Sequence, residues 1–572
     1  MKKSLKYTLL PRGGEAGPHS PKPSRWSHRV WKWAVPALLA ITVILALAVT
    51  GVQDGSDFQI PTSGHPPCPQ YPALKALSAE RQNFEKEVKD TISSPEFFEK
   101  SIKRMQGAVQ IPTESFDDMG KDFHAYLAET FPMVYSKLEF TPINTYGILL
   151  EWKGSDEALK PYLFMGHQDV VPVPAVTESR WTYPPYSAHY DGRFVWGRGA
   201  ADCKNVVIGV LEAIETLLEK DFKPERTFLA SFGFDEEISG LQGAKFIADH
   251  LENTRGKNSI ELILDEGGLG IAEMQGAVFA LPGVGEKGYF DVRISVETAG
   301  GHSSVPPEHT GIGILAQIIA AIEAAPYTPD LTPLNPYFTT LQCSAEYSPD
   351  LDPWLRKTIK KSLTSKKAAK AVAEYVASKD ISQRYLMQTS QETDLISGGV
   401  KINALPEKVY AVVNHRVAVE SHVAAVRAHL QSLLEREILS RFPFALDAWG
   451  SIMTAGNSSS STPVGTITLE NFGSPLEPAP VSPYDTHAYK TFTGTIKQVL
   501  GEDIIVAPSL MTGNTDTKFY WGLSRNIYRF SPVRAEGRAD AHTVDERIGM
   551  REHVEGVRLY AQLVLNGGDG RP

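Results

Sequence analysis

Histidine and carboxylate recur along this chain just past short apolar runs, an arrangement that suits divalent metal. His167 and Asp169 follow Tyr162-Leu-Phe-Met-Gly166, and residues two apart in a strand point to the same side. A neutral imidazole ligates an ion through one nitrogen, while a nearby carboxylate orients the ring and raises its basicity. His167 therefore reads as a ligand and Asp169 as its support. Asp202 follows Trp196-Gly-Arg-Gly-Ala-Ala201 and precedes a helical stripe of Val206, Val210, Ala213, Ile214 and Leu217. Asp235-Glu236-Glu237 ends the run Phe228–Phe234, Asp265-Glu266 ends Ile260–Leu264, and Asp540-Ala-His542 follows Asn526–Phe530. Singly, each acid suits a helix cap or a turn. Together, imidazoles and carboxylates at successive strand ends supply the donors for two divalent ions sharing one carboxylate. Two such ions, about 3.5–4 Å apart, can share a water and bring its pKa towards neutrality.

The elements that must position these residues alternate. Strand patterns at Tyr146–Trp152, Tyr162–Met165, Thr227–Phe234 and Ile260–Leu264 are interleaved with helical ones at Asn205–Glu219 and Gly240–Glu252. This order predicts an α/β layer with a largely parallel sheet, whose strand carboxyl ends are where ligands collect. Upstream, Ala73–Met105 has helical spacing, and Gly107–Pro112 reads as the start of strand material. Further strand patterns lie at Tyr289–Val296 and Lys408–Val413, and amphipathic helices at Gly311–Ala324, Ser421–Leu439 and Arg551–Leu565.

The segments GHQDVVPV, WGRGAADCKN, FGFDEEISG, LDEGG and DAHTVDERI resemble the co-catalytic zinc peptidases of the M20 clan. SGGVKINALPEKVYAVVNHR, TAGGHSSVPP and TGNTDTKFYW are similar to its fungal vacuolar carboxypeptidase S (Gly-X carboxypeptidase) branch, and the likeness runs over roughly residues 95 to 570. The resemblance implies a catalytic domain over 91–286 and 476–572, interrupted by a smaller α+β lid domain, of the dimerisation type, over 287–475. It implies two zinc ions per chain: one held by His167 and Asp265, the other by Glu237 and His542, with Asp202 bridging. Glu236 would be the general base, free of metal because a bound carboxylate cannot take a proton, and Asp169 would orient His167. In the lid, His302 would polarise the scissile carbonyl, often across a homodimer. Asn403 and Arg416, with Gly513 and Asn514 opposite, would grip substrate, Arg416 matching a carboxylate with its planar fork. The implied activity is hydrolysis of the C-terminal amide of short peptides of the Gly-X type. Alternatives are an N-acyl amino-acid hydrolase or synthase of the same family, or a receptor that keeps the fold without metal; the latter would have lost a ligand, and none is missing.

The bulk numbers agree with a globular enzyme. The 572 residues are 42% hydrophobic and 22% charged with net charge −10, which excludes a polytopic transporter and gives no basic stripe for nucleic acid. Residues 34–52 form an uncharged run just long enough to span about 30 Å of hydrocarbon. A basic tail over 1–33, with Trp26, Trp31 and Trp33 at the interface, precedes it. The positive-inside rule then gives a single-pass type II anchor with the enzyme lumenal. The resemblance makes that lumen the vacuole. A stalk or linker follows over 53–90, its Gly- and Pro-rich part ending near Pro72. Asn457-Ser-Ser459 is a glycosylation sequon. Three cysteines, Cys68, Cys203 and Cys343, allow at most one bridge, and none is expected; Cys203 reads as a small buried residue.

Overall fold

The computed structural model describes residues 67–115, 120–454 and 463–568. The basic tail, the 34–52 run and the sequon lie outside them. Among the described residues no helix is long and apolar enough to cross a membrane.

Order begins earlier than expected. Residues 67–77 run along the catalytic domain, with Leu74 buried, and helix α1 (Ala79–Ile92) starts at a Ser78 cap within the expected stalk. Helix α2 (Pro95–Gln110) absorbs Gly107–Gln110, read above as strand material, because Ala108 and Val109 continue the buried stripe of Phe97, Arg104 and Met105. Cys68 is bonded to Cys343, correcting the expectation of no bridge. The partners are 275 residues apart and meet only because the 67–77 segment is folded back on the domain.

The catalytic sheet takes six strands from the first part of the chain: β1 (Glu139–Ile143), β2 (Gly147–Trp152), β3 (Tyr162–His167), β4 (Phe228–Gly233), β5 (Leu262–Asp265) and β6 (Gly283–Glu286). Helices α3 (Lys204–Glu219) and α4 (Ala244–Arg255) cover its two faces. Helix α3 is buried almost all round, which its run Val206–Val210 anticipates.

The chain then leaves for the lid sheet: β7 (Gly288–Thr298), β8 (Ser390–Gly398), β9 (Lys408–Val417), β10 (Ala445–Ala448), β11 (Ser451–Thr454) and β12 (Gly465–Asn471), in the order β8-β9-β7-β12-β10-β11. Helices α5 (Gly311–Ala324) and α10 (Val423–Leu434) pack on it. Between α5 and β8 the expected lid is interrupted by α6 (Pro336–Tyr347), α7 (Pro353–Ser362), α8 (Lys366–Lys379) and α9 (Ile381–Tyr385). These helices share a core with Leu510 of the catalytic sheet, and Thr340 donates to the Pro508 carbonyl (2.6 Å). The lid sheet is thus joined to the catalytic side by four chain passages. Lys287, on the first, donates to the Gln388 carbonyl (2.8 Å) on the third.

On return, β13 (Ser509–Met511) and β14 (Ile527–Arg529) complete the catalytic sheet as β1-β2-β4-β3-β5-β14-β6-β13, and α11 (His487–Leu500) and α12 (Met550–Leu565) close its core. The four strands β4-β3-β5-β14 are parallel, whereas β1/β2, β2/β4 and β14/β6 are antiparallel. The sheet is therefore mixed rather than largely parallel. Its parallel centre is the part that carries the site.

Candidate metal centre

Strands β3, β4 and β5 end side by side, His167 pairing with Gly233, so their carboxyl ends deliver His167, the Asp235-Glu236-Glu237 turn and Asp265-Glu266 to one crevice. The loop before α3 adds Asp202, and the loop after β14 adds His542. His167 Nε2 lies 3.1 Å from Asp202 Oδ1 and 3.1 Å from Glu266 Oε1. His542 Nε2 lies 3.2 Å from Asp202 Oδ2 and 3.1 Å from Glu237 Oε2. One carboxylate is thereby shared between two imidazoles, each of which faces a further acid.

The donor set fits two cations. An imidazole nitrogen can donate one hydrogen, yet each Nε2 faces two carboxylates. Ligands about 2.0–2.1 Å from a tetrahedral ion stand about 3.3 Å apart, close to the separations seen. Glu237 also keeps a buried oxygen, Oε1, with no partner.

Glu266, not Asp265, takes the place on the His167 side. Neighbours at a strand end face opposite ways, so only one of the pair can turn to His167. Asp265 keeps a buried oxygen, Oδ2, with no hydrogen-bond partner, and burial together with Glu266 pushes its carboxyl up to about 7.

Asp169 has a wider reach than expected. Its backbone carbonyl accepts from His167 Nδ1 (2.9 Å), which leaves Nε2 to face the cluster, while its carboxylate stands further off at 3.4 Å. That carboxylate instead accepts the backbone N–H groups of Glu236 (3.0 Å) and Glu237 (3.1 Å) and the Ser115 hydroxyl (2.8 Å). It thus fixes the acidic turn. Glu236 lines the crevice. Burial holds its carboxyl well above the usual carboxylate range, Asp516 and Glu266 adding to this against His167. Burial would likewise raise Asp202, but hydrogen bonds from His167 and His542 hold it well below that range. The same bonds, to Asp202 and then Glu237, raise half-exposed His542 to about 10. Cys203 is buried, as expected, and its sulfur accepts the His167 N–H (3.2 Å).

The cleft over this cluster has a volume of about 430 Å³ and includes Met511, Asn514, Thr515 and Arg538 in its walls. Arg416 reaches it from β9, donating to Asn514 Oδ1 (3.3 Å), whose amide in turn donates to the Lys287 carbonyl. Gly513 has open space where a side chain would be. His302 and Asn403 are not in this wall; both are exposed on the lid, where His302 Nδ1 accepts from the Ser304 hydroxyl (2.7 Å).

Three residues beyond the expected set hold the site. Buried Asp516 lies so close to Gly240 that a Cβ there would meet its Oδ1 at 2.0 Å, and Gly240 also has φ +66°. Glu286 binds the Thr515 and Thr517 hydroxyls and Arg529. Glu546 accepts from the loop of Asp202. Asp516 and Glu546 fell inside segments that the sequence marked out, whereas Glu286 did not.

A strand-end cluster of two imidazoles around a shared carboxylate defines a metal-dependent hydrolase class. Residues 163–566 match peptidase family M20/M25/M40, and the chain belongs to that family. It is 36% identical to carboxypeptidase S of Saccharomyces cerevisiae, over 96% of this chain and 98% of that protein. It is 30% identical to a Bos taurus N-fatty-acyl-amino acid synthase/hydrolase, over 81% and 87%. Its fold is that of human carnosine dipeptidase 1, with a TM-score of 0.56 at 16% identity, covering 86% of this chain and 99% of that one. The chain is therefore a metallopeptidase-type hydrolase.

Proposed function

We propose that this protein is a two-zinc carboxypeptidase that removes the last residue of short peptides of the Gly-X type. The observation that carries this is the sharing of Asp202 between His167 Nε2 and His542 Nε2 at 3.1 and 3.2 Å. His167, Asp202 and Glu266 would hold one ion, and Glu237, Asp202 and His542 the other. Bound there, the ions would polarise the scissile carbonyl and acidify a shared water. Glu236, anchored through its backbone by Asp169 but with its own carboxylate turned to the cleft, takes the proton of the attacking water and returns it to the leaving amine. Arg416, braced by Asn514, offers its fork to the substrate carboxylate, with Gly513 leaving room beside it. From the lid of a second copy, His302 reaches the scissile carbonyl and Asn403 grips the substrate. In support, His302 lies outside the cleft wall, and Leu395, Ile396, Val400 and Ile402 are exposed on the adjoining lid edge.

The relatedness to the bovine acyl-amino-acid enzyme raises fatty acyl substrates as an alternative. The cleft favours peptides: its apolar wall consists of Met511 and three alanines, with no groove for a long chain. We place the enzyme on the lumenal side of a membrane, on the 34–52 anchor, and most simply in the vacuole. The Cys68–Cys343 bridge supports an oxidising compartment.

The test combines zinc content by mass spectrometry with release of leucine from an N-acyl-Gly-Leu. Two zincs per chain and chelator-sensitive release are expected. Glu236→Gln should lose nearly all turnover and keep both zincs; an active Glu236→Gln, or wild-type protein without metal, refutes the reading.

A further inference from the structure

We propose that the buried pair Arg198–Glu546 is a positioning device for the shared carboxylate Asp202, a role that rests on the metal reading above. Glu546 Oε1 accepts the backbone N–H groups of Ala201 (2.9 Å) and Asp202 (3.1 Å), and its Oε2 accepts from Arg198 Nη1 (2.6 Å). Arg198 Nη1 also donates to the Thr543 carbonyl (3.3 Å), one residue past His542. Glu546 is fully buried and Arg198 nearly so, the guanidinium lying over Trp181. The pair thus clamps together two loops about 340 residues apart in sequence, one carrying Asp202 and the other His542.

The chemistry of the clamp is specific. Glu546 faces donors on both sides, two amide N–H groups and a guanidinium, so both of its oxygens must accept. A glutamine offers one acceptor and one donor, and one side must then lose its partner. The side lost is either the Asp202 backbone or the tie to the His542 loop. Asp202 serves both ions, but the ion between Glu237, Asp202 and His542 depends on the pair twice, through Asp202 and through the His542 loop, whereas the other keeps His167 and Glu266 on strand ends that the pair does not touch. Groups that fix metal ligands in this way are worth about 10–100-fold in affinity.

The experiment uses the full-length protein loaded with zinc. A chromophoric chelator times the release of the two ions in wild type, Glu546→Gln and Arg198→Lys. In Glu546→Gln one equivalent should leave about tenfold faster or more while the other is loosened clearly less. The kcat for an N-acyl-Gly-Leu should fall by a similar factor with KM within about twofold, and excess zinc should restore part of it. Arg198→Lys, which keeps the charge but not the fork, should show the same split to a smaller extent, and it decides the matter if Glu546→Gln does not fold. Equal loosening of both ions, or wild-type release in both variants, overturns the proposal. Absence of zinc from the wild-type protein would instead overturn the metal reading itself.

Discussion

Glu286 and Arg529 form a second buried ion pair, at the floor of the turn that carries Asn514, and removing one partner should cost far more than removing both. The two side chains are 0% and 1% exposed, with Arg529 Nη2 3.0 Å from Glu286 Oε2. Glu286 also takes the hydroxyls of Thr515 (2.8 Å) and Thr517 (3.0 Å), and Arg529 donates to Thr517 Oγ1 (2.6 Å). In Glu286→Leu the guanidinium stays buried without a counter-charge, a loss of about 3–5 kcal/mol. In the double variant Glu286→Leu with Arg529→Met no charge remains to be desolvated. The cost then falls to the Thr515 and Thr517 hydroxyls, which lose Glu286 but keep each other at 2.9 Å, about 1–2 kcal/mol. The double variant should therefore be about 2–3 kcal/mol more stable than Glu286→Leu alone. Urea unfolding of the four proteins of the cycle, with equal m-values, measures it. Because Thr515 anchors the turn holding Asn514, the single variant should also raise KM for an N-acyl-Gly-Leu. If Glu286→Leu is no less stable than the double variant, the pair is not held by its charges and the reasoning fails.

Two further outcomes follow from other parts of the molecule. Replacing both Cys68 and Cys343 by alanine opens a loop of 275 residues, for which chain entropy allows about 5–6 kcal/mol at most, and should loosen the chain around the exposed Lys75 so that trypsin cleaves there; a variant as stable and as resistant as wild type refutes this. Burial lowers lid residue His415 to about 4, below its ordinary 6.5, so the unfolded chain binds a proton the native lid refuses between those values. The stabilisation is complete above pH 6.5 and is lost as pH falls towards 4, by about 3 kcal/mol. Unfolding free energy measured across that range should slope accordingly, and His415→Phe should flatten it; an unchanged slope assigns it elsewhere.

The strand-end acids and histidines were legible because a parallel sheet announces itself through short apolar runs, and each run stopped at a polar residue. The choice between Asp265 and Glu266 was not, since adjacent acids differ only in the face they take, and that is set by how β5 pairs with β3. Nor could periodicity say which body the helices α6–α9 join. Their stripes fix that they pack, whereas Leu510 and Cys68, far off in sequence, decide where. Gly107–Gln110 misled as strand because so short a run, with only Ala108 and Val109 apolar, carries no period of its own.

The topology explains why the centre draws on both ends of the chain. Strand β14 is not appended to an edge; it lies between β5 and β6, both of which precede the lid in the chain. The sheet cannot close until the segment beyond the lid arrives, and its closing places the His542 loop opposite Asp202. Glu546 then locks that loop to the Asp202 backbone from within the buried core, while Arg529 at the end of β14 reaches Glu286 at the end of β6. The two buried ion pairs therefore mark the two seams at which the late segment meets the early one. One seam braces Asp202 and the other the turn at Asn514, so under the proposed function a charge removed at one should spare the other: Glu546→Gln should act on kcat and zinc release, and Glu286→Leu on KM and stability.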